Sequence, residues 1–105
     1  MDEVFKALAD STRRAVLDRL HRKSGQTLGE ICEGLNMTRQ GVSKHLAILE
    51  GAGLVVAEWA GREKRHYLNP IPIQEIHSRW IHKFERHRVA AILELKRRVG
   101  EGSER

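Results

Sequence analysis

Apolar residues recur through the first half of the chain at helical spacing, in short bursts separated by polar breaks. Val4, Phe5 and Leu8 give a short first helix an apolar edge. Asp10 stands where an N-cap belongs, ahead of a second helix carrying Ala15, Val16, Leu17 and Leu20. A short side chain with an oxygen acceptor satisfies the free amides of a first turn. Lys23-Ser24-Gly25-Gln26 ends that helix. Thr27 and Glu30 form a capping box, and Leu28, Ile31, Cys32 and Leu35 follow at i, i+3, i+4 and i+7, the buried stripe of a third helix. Asn36 closes it, since Asn tolerates the left-handed conformation that a sharp helix-to-helix turn requires. Thr38 is the next N-cap, opening a helix from Arg39 to Ala52 with Val42, Leu46 and Leu49 facing inward; Gly51 and Gly53 stop it.

From Leu54 the helical period is lost. Leu54–Trp59 and Lys64–Leu68 read as two strands joined by a tight turn at Ala60-Gly61-Arg62-Glu63. Asn69-Pro70-Ile71-Pro72 breaks the second strand, and these are the only prolines in the chain. A long last helix is expected from Ile73 to Val99, with 100–105 as a flexible tail.

Composition narrows the class. One domain fills 105 residues, here 1–99 before the tail, and a core this small gains stability from pairing with a second copy. Hydrophobic and charged shares of 40% and 31% are those of a globular rather than a disordered chain. No apolar run approaches the ~18 residues of a membrane span, and the N-terminus lacks a signal-peptide layout. The single Cys32 closes no intrachain disulfide, which suits a reducing cytoplasm. A formal charge of +5 favours a polyanionic partner without identifying one.

The order of elements is more telling than the charge. Two short helices joined at Leu35-Asn36-Met37-Thr38 make a helix-turn-helix. On the second helix the outer side near the N-terminal end carries Arg39, Gln40, Ser43 and Lys44, with His45 at its margin. Gln pairs with adenine and Arg with guanine, while Thr38 and Ser43 hydroxyls and the free amides of the helix start can hold a phosphate. An exposed polar helix face is more often merely solvated. The following hairpin alters that balance, because its tip presents Arg62, Lys64 and Arg65 to a DNA backbone or minor groove; Glu58 and Glu63 dilute this charge. The predicted fold is mostly α with a small β-hairpin: a winged helix-turn-helix of about five helices and a two-stranded wing.

The stretch Val4-Phe5-Lys6-Ala7-Leu8-Ala9-Asp10-Ser11-Thr12-Arg13-Arg14 and the run Gln40-Gly41-Val42-Ser43-Lys44-His45-Leu46 resemble the arsenical-resistance repressor (ArsR) family of bacterial regulators. So do Leu49, Ala52-Gly53-Leu54-Val55, Gly61-Arg62 and Tyr67-Leu68-Asn69-Pro70, and the resemblance spans Asp2 to about Leu95. It implies a winged-helix homodimer that binds a palindromic operator in double-stranded DNA and represses until a signal lowers its affinity, with its reading positions on Gln40, Ser43, Lys44 and His45.

Many relatives sense metals. The family's thiolate box would place cysteines at Thr27, Gly29 and Cys32, and only Cys32 remains, on the apolar stripe. A second family site uses a carboxylate and a His near the start of the last helix, which Glu75 and His77 resemble. Its other half would fall near Arg88 and Ala91, which cannot ligate, and His87 is one residue out of place. His77, His82 and His87 recur every five residues and so diverge by ~140° per step. The expectation is a subgroup without the known metal boxes and with no cofactor. A zinc site across a dimer is the alternative, and the effector, small molecule or protein, is left open.

Ile73, Ile76, Trp80, Phe84, Ala91 and Leu95 fall within ~60° of one line on the last helix, and Ile81, Ile92 and Val99 widen that face. A dimer interface is expected from Ile76, Trp80, Ile81, Phe84 and Ala91 with Val4, Phe5 and Leu8, setting the reading helices about one DNA turn (~34 Å) apart. An enzyme is not expected, because Ser43 and His45 point apart and no third group orients a base. A winged helix serving only protein contact would show an apolar outer face, and RNA stacking has little support in an aromatic share of 5%.

Overall fold

The computed structural model describes residues 1–81 and 86–103. Its helices are α1 (Asp2–Leu8), α2 (Ser11–Arg22), α3 (Leu28–Leu35), α4 (Arg39–Gly51), α5 (Ile71–Ile76) and α6 (Arg86–Ser103), and its strands β1 (Val55–Ala60) and β2 (Glu63–Leu68). The order is that of a winged helix-turn-helix. Two units divide the chain, Met1–Ile73 and Gln74–Arg105.

The first unit is organised by its caps. Asp10 accepts from the amides of Thr12 (2.9 Å) and Arg13 (3.0 Å), and thereby starts α2 at Ser11. Thr27 Oγ1 accepts from the Glu30 amide at 3.3 Å. The capping box closes in a variant form, because the Glu30 carboxylate accepts from the Thr27 hydroxyl (3.3 Å) rather than from a backbone amide. Thr38 Oγ1 accepts from the Gly41 amide at 3.1 Å and opens α4. Between α3 and α4, Asn36 takes φ 52° and ψ 47°, the left-handed turn predicted from its residue type.

The core lies where α2, α3 and α4 meet. Val16, Ile31, Val42, Leu49 and Leu54 are fully buried, and Leu17, Leu20, Cys32, Leu46 and Val55 nearly so. All but Leu54, which lies between α4 and β1, come from the apolar side of their element, so α4 has its inner face fixed at three points, Val42, Leu46 and Leu49.

Strands β1 and β2 pair antiparallel from Val55↔Leu68 to Ala60↔Glu63, one residue later at the first strand and one earlier at the second than predicted. Gly61 at φ 65° makes the two-residue turn possible, since a primed hairpin turn needs a positive φ at its first central position. Asn69 fastens the base of the hairpin: its Nδ2 donates to Gly53 O and its amide to Leu54 O, both at 2.8 Å.

The second unit departs from the single helix predicted over Ile73–Val99. After α5, His77–Ile81 form a π-helical turn, and α6 continues past Val99 to Ser103. A π-turn takes more residues per revolution than an α-helix, so the 100°-per-residue line joining Ile76 to Ala91 does not run through it. Among the described residues, no helix is long and apolar enough to cross a membrane.

Candidate nucleic-acid interface

Burying Val42, Leu46 and Leu49 leaves the opposite side of α4 in solvent. Thr38, Arg39, Gln40, Ser43 and Lys44 are all exposed there, within the first two turns after the cap. An α-helix whose N-terminal end presents amide, hydroxyl and cationic side chains has the donors and acceptors that base edges and phosphates require.

His45 differs from its neighbours. It is half-buried, and its Nδ1 accepts from Arg13 Nη1 at 3.4 Å and lies 4.0 Å from Asp10 Oδ1. The same Arg13 donates Nε to Ala7 O and Nη2 to Lys6 O, so α1, α2 and α4 meet at one polar joint. Amide donation from Arg13, together with the Arg13 guanidinium, holds the Asp10 carboxyl below its ordinary range. His45 therefore links α4 to α2 while remaining half-buried.

The wing cations separate into distinct environments. Arg62 is exposed at the turn and makes no ion pair among the described residues. Lys64 lies 3.7 Å from Glu50 Oε1. Arg65 is half-buried and committed within the chain, donating to Gly25 O (2.8 Å) and Glu63 Oε2 (2.7 Å). Arg65 thus ties the wing to the α2–α3 connection through Gly25, with its side chain still partly in solvent.

Two buried polar residues that sequence reading passed over hold the wing in place. His66 donates Nδ1–H to Gln26 O at 2.9 Å, and the two backbones pair as an isolated antiparallel bridge. Gln26, 1% exposed, donates Nε2 to Arg19 O and Lys23 O and accepts at Oε1 from Arg19 Nη2. Between wing and reading helix lies a groove of about 280 Å³ lined by Ser43, Ala47, Glu50, Lys64 and His66. The only advance signal was register: His66 sits at the buried position of β2, and Glu50 seven residues after Ser43 on one side of α4.

A helix-turn-helix domain model matches residues 8–57, which include Asp10, Arg13 and His45 of the joint, the turn and the whole of α4. The transcriptional regulator YuzN of Bacillus subtilis is 40% identical over 86 residues, covering 76% of this chain and 94% of its own. SdpR, a transcriptional repressor of the same organism, is 36% identical over 75 residues, covering 71% and 82%. A solved ArsR-family transcriptional regulator is 32% identical and superposes with a TM-score of 0.67, covering 78% of this chain and 82% of its own. The chain belongs to the ArsR family of helix-turn-helix transcriptional regulators. Its function is that of a DNA-binding transcriptional repressor, as the resemblance of its sequence implied.

Within that family, Cys32 is an apolar residue of the α3 stripe, 8% exposed. Thr27 caps α3, and Gly29 lies under the Arg39 guanidinium. Among the described residues, no three His, Cys, Asp or Glu side chains converge to hold a metal ion. Glu75 and His77 are exposed in the second unit; His82 and the His87 side chain lie outside the described residues. Of the expected dimer contacts, Val4 is buried within its own unit, Leu8 and Ile76 are half-buried, and Phe5, Trp80, Ile81 and Ala91 are exposed. Phe84 lies outside the described residues.

Proposed function

We propose that this ArsR-family repressor acts as a homodimer on a palindromic operator, with α4 in the major groove of each half-site. Gln40, Ser43 and Lys44 read or grip the groove, Thr38 and Arg39 approach the backbone at the helix start, and Arg62 and Lys64 bring the wing to the adjacent phosphates. The observation that carries this reading is the division of α4 between three buried apolar residues and an exposed polar end. No catalytic role is assigned to any residue. The relatives named above are bacterial, and the bacterial cytoplasm is the expected setting.

Pairing is supported by the second unit. Ile81, Ile92, Leu93 and Val99 are each at least 60% exposed there, more apolar surface than a solvated helix normally leaves uncovered. Trp80→Ala combined with Ile81→Ala is expected to shift the dimer toward monomer in light scattering, and an unchanged dimer refutes this assignment.

The decisive variant for the reading helix is Ser43→Ala with Lys44→Ala. Both side chains are exposed, so folding and pairing stay intact. Loss of two groove contacts at ~1–3 kcal/mol each lowers operator affinity by roughly 30-fold or more. A gel-shift titration in which the variant binds like the parent overturns the assignment.

A further inference from the structure

Glu50 is a carboxylate on the side of α4 that carries Ser43 and Ala47, close to where a phosphate backbone would pass. Its Oε1 is buried and has no hydrogen-bond partner among the described residues. Among these, two cationic or titratable groups face it: Lys64 Nζ at 3.7 Å and His66 Nε2 at 3.9 Å. His66 has given its Nδ1–H to Gln26 O, so when neutral it turns a lone pair toward Glu50 and offers no donor. Lys64 is then the cation that balances Glu50.

That pairing distinguishes Lys64 from the other wing cations. Arg65 is held by two acceptors, and Arg62 has no ion pair among the described residues. Lys64 is 44% exposed, so a phosphate can reach it, but only by drawing it away from Glu50.

We propose that Glu50 sets how strongly the wing grips duplex DNA, by holding Lys64 in an internal ion pair that a DNA phosphate has to displace. The inference rests on the DNA-binding reading given above. When Lys64 moves to a phosphate, one counterion leaves the DNA while the abandoned carboxylate takes up a cation, so the net release at this site is close to zero. Glu50 thereby suppresses the sequence-independent part of binding and leaves the α4 contacts to decide between sites.

Fluorescence anisotropy with a labelled non-operator duplex, titrated from ~50 to ~200 mM salt, tests this. Glu50→Gln keeps the shape of the side chain and offers an amide donor to His66. It is expected to tighten binding about two- to fivefold, the range of one exposed ion pair. It is also expected to steepen the slope of log affinity against log salt by about 0.9. Adding Lys64→Gln to Glu50→Gln abolishes both gains. Lys64→Gln alone, which serves equally if Glu50→Gln fails to fold, leaves the slope nearly unchanged.

Binding of Glu50→Gln that is no tighter than the parent's overturns the inference, as does a full ~0.9 loss of slope in Lys64→Gln alone. These results leave the DNA-binding reading standing if the parent still binds duplex. Absence of any salt-dependent duplex binding by the parent overturns both.

Discussion

Replacing Gln26 by Leu removes a buried amide while nearly preserving its volume. The parent side chain makes three hydrogen bonds, from Nε2 to Lys23 O (2.7 Å) and Arg19 O (3.0 Å) and from Arg19 Nη2 to Oε1 (2.9 Å). At a net ~0.5–1.5 kcal/mol each, their loss costs about 1.5–4.5 kcal/mol. Leucine's added apolar burial returns about 1 kcal/mol, leaving a destabilisation of about 0.5–3.5 kcal/mol. For a chain of this size that lowers Tm by roughly 8–16 °C at the centre of the range. Urea unfolding followed by circular dichroism measures the difference, with an unchanged m-value as the check that only stability moved. Gln26→Glu sharpens the test, because a carboxylate oxygen would then face two carbonyls. It is expected to be less stable than the parent at neutral pH and to recover as the pH falls and the new group gains a proton. A loss below about 0.5 kcal/mol for Gln26→Leu, less than one net hydrogen bond, refutes the role given to this network.

Other substitutions examine local geometry. Asn36→Ala places a Cβ without a compensating polar group at φ 52° and is expected to cost about 1 kcal/mol, whereas Asn36→Gly stays close to the parent; equal stabilities in urea contradict the left-handed turn. Gly51→Ala meets nothing within 4 Å and gains up to ~1 kcal/mol of helix propensity. Gly34→Ala meets the Arg19 guanidinium, must push it off Gln26 Oε1 and Glu30 O, and therefore loses stability in thermal melts despite the same propensity gain. Asp10 has its folded pKa lowered from an unfolded value of 3.8, so its contribution is full above that value and disappears as the pH falls through the lower folded one. Melting temperatures should accordingly fall less between pH ~5 and ~2 in Asp10→Asn than in the parent, and parallel curves contradict the assignment.

What could be read from the sequence was what local chemistry decides. Asp10, Thr27, Thr38 and Asn36 act through amides within three residues or through their own φ, so residue type and spacing sufficed to place four helix boundaries. The inward set Val42, Leu46 and Leu49 followed from period alone, and with it the exposure of Gln40, Ser43 and Lys44. Contacts across the chain were not legible. Gln26 meets His66 forty residues away, and a glutamine at a helix exit carries no mark of burial. His45 and Arg65 have side chains suited to DNA, and each also has a partner in a distant segment, Arg13 and Gly25, that residue type does not announce. The π-helical turn at His77–Ile81 has no proline or glycine to announce it.

On the proposed function, the exposed end of α4 reads duplex sequence in two symmetric half-sites. Selection of bound duplexes from a randomised library, at a fixed salt concentration, addresses it most directly. The account predicts enrichment of an inverted repeat whose half-site centres stand about one helical turn apart, ~10 base pairs, and loss of that enrichment in Ser43→Ala, Lys44→Ala. Recovery of unenriched sequence by the parent, or of the same motif by the variant, contradicts it.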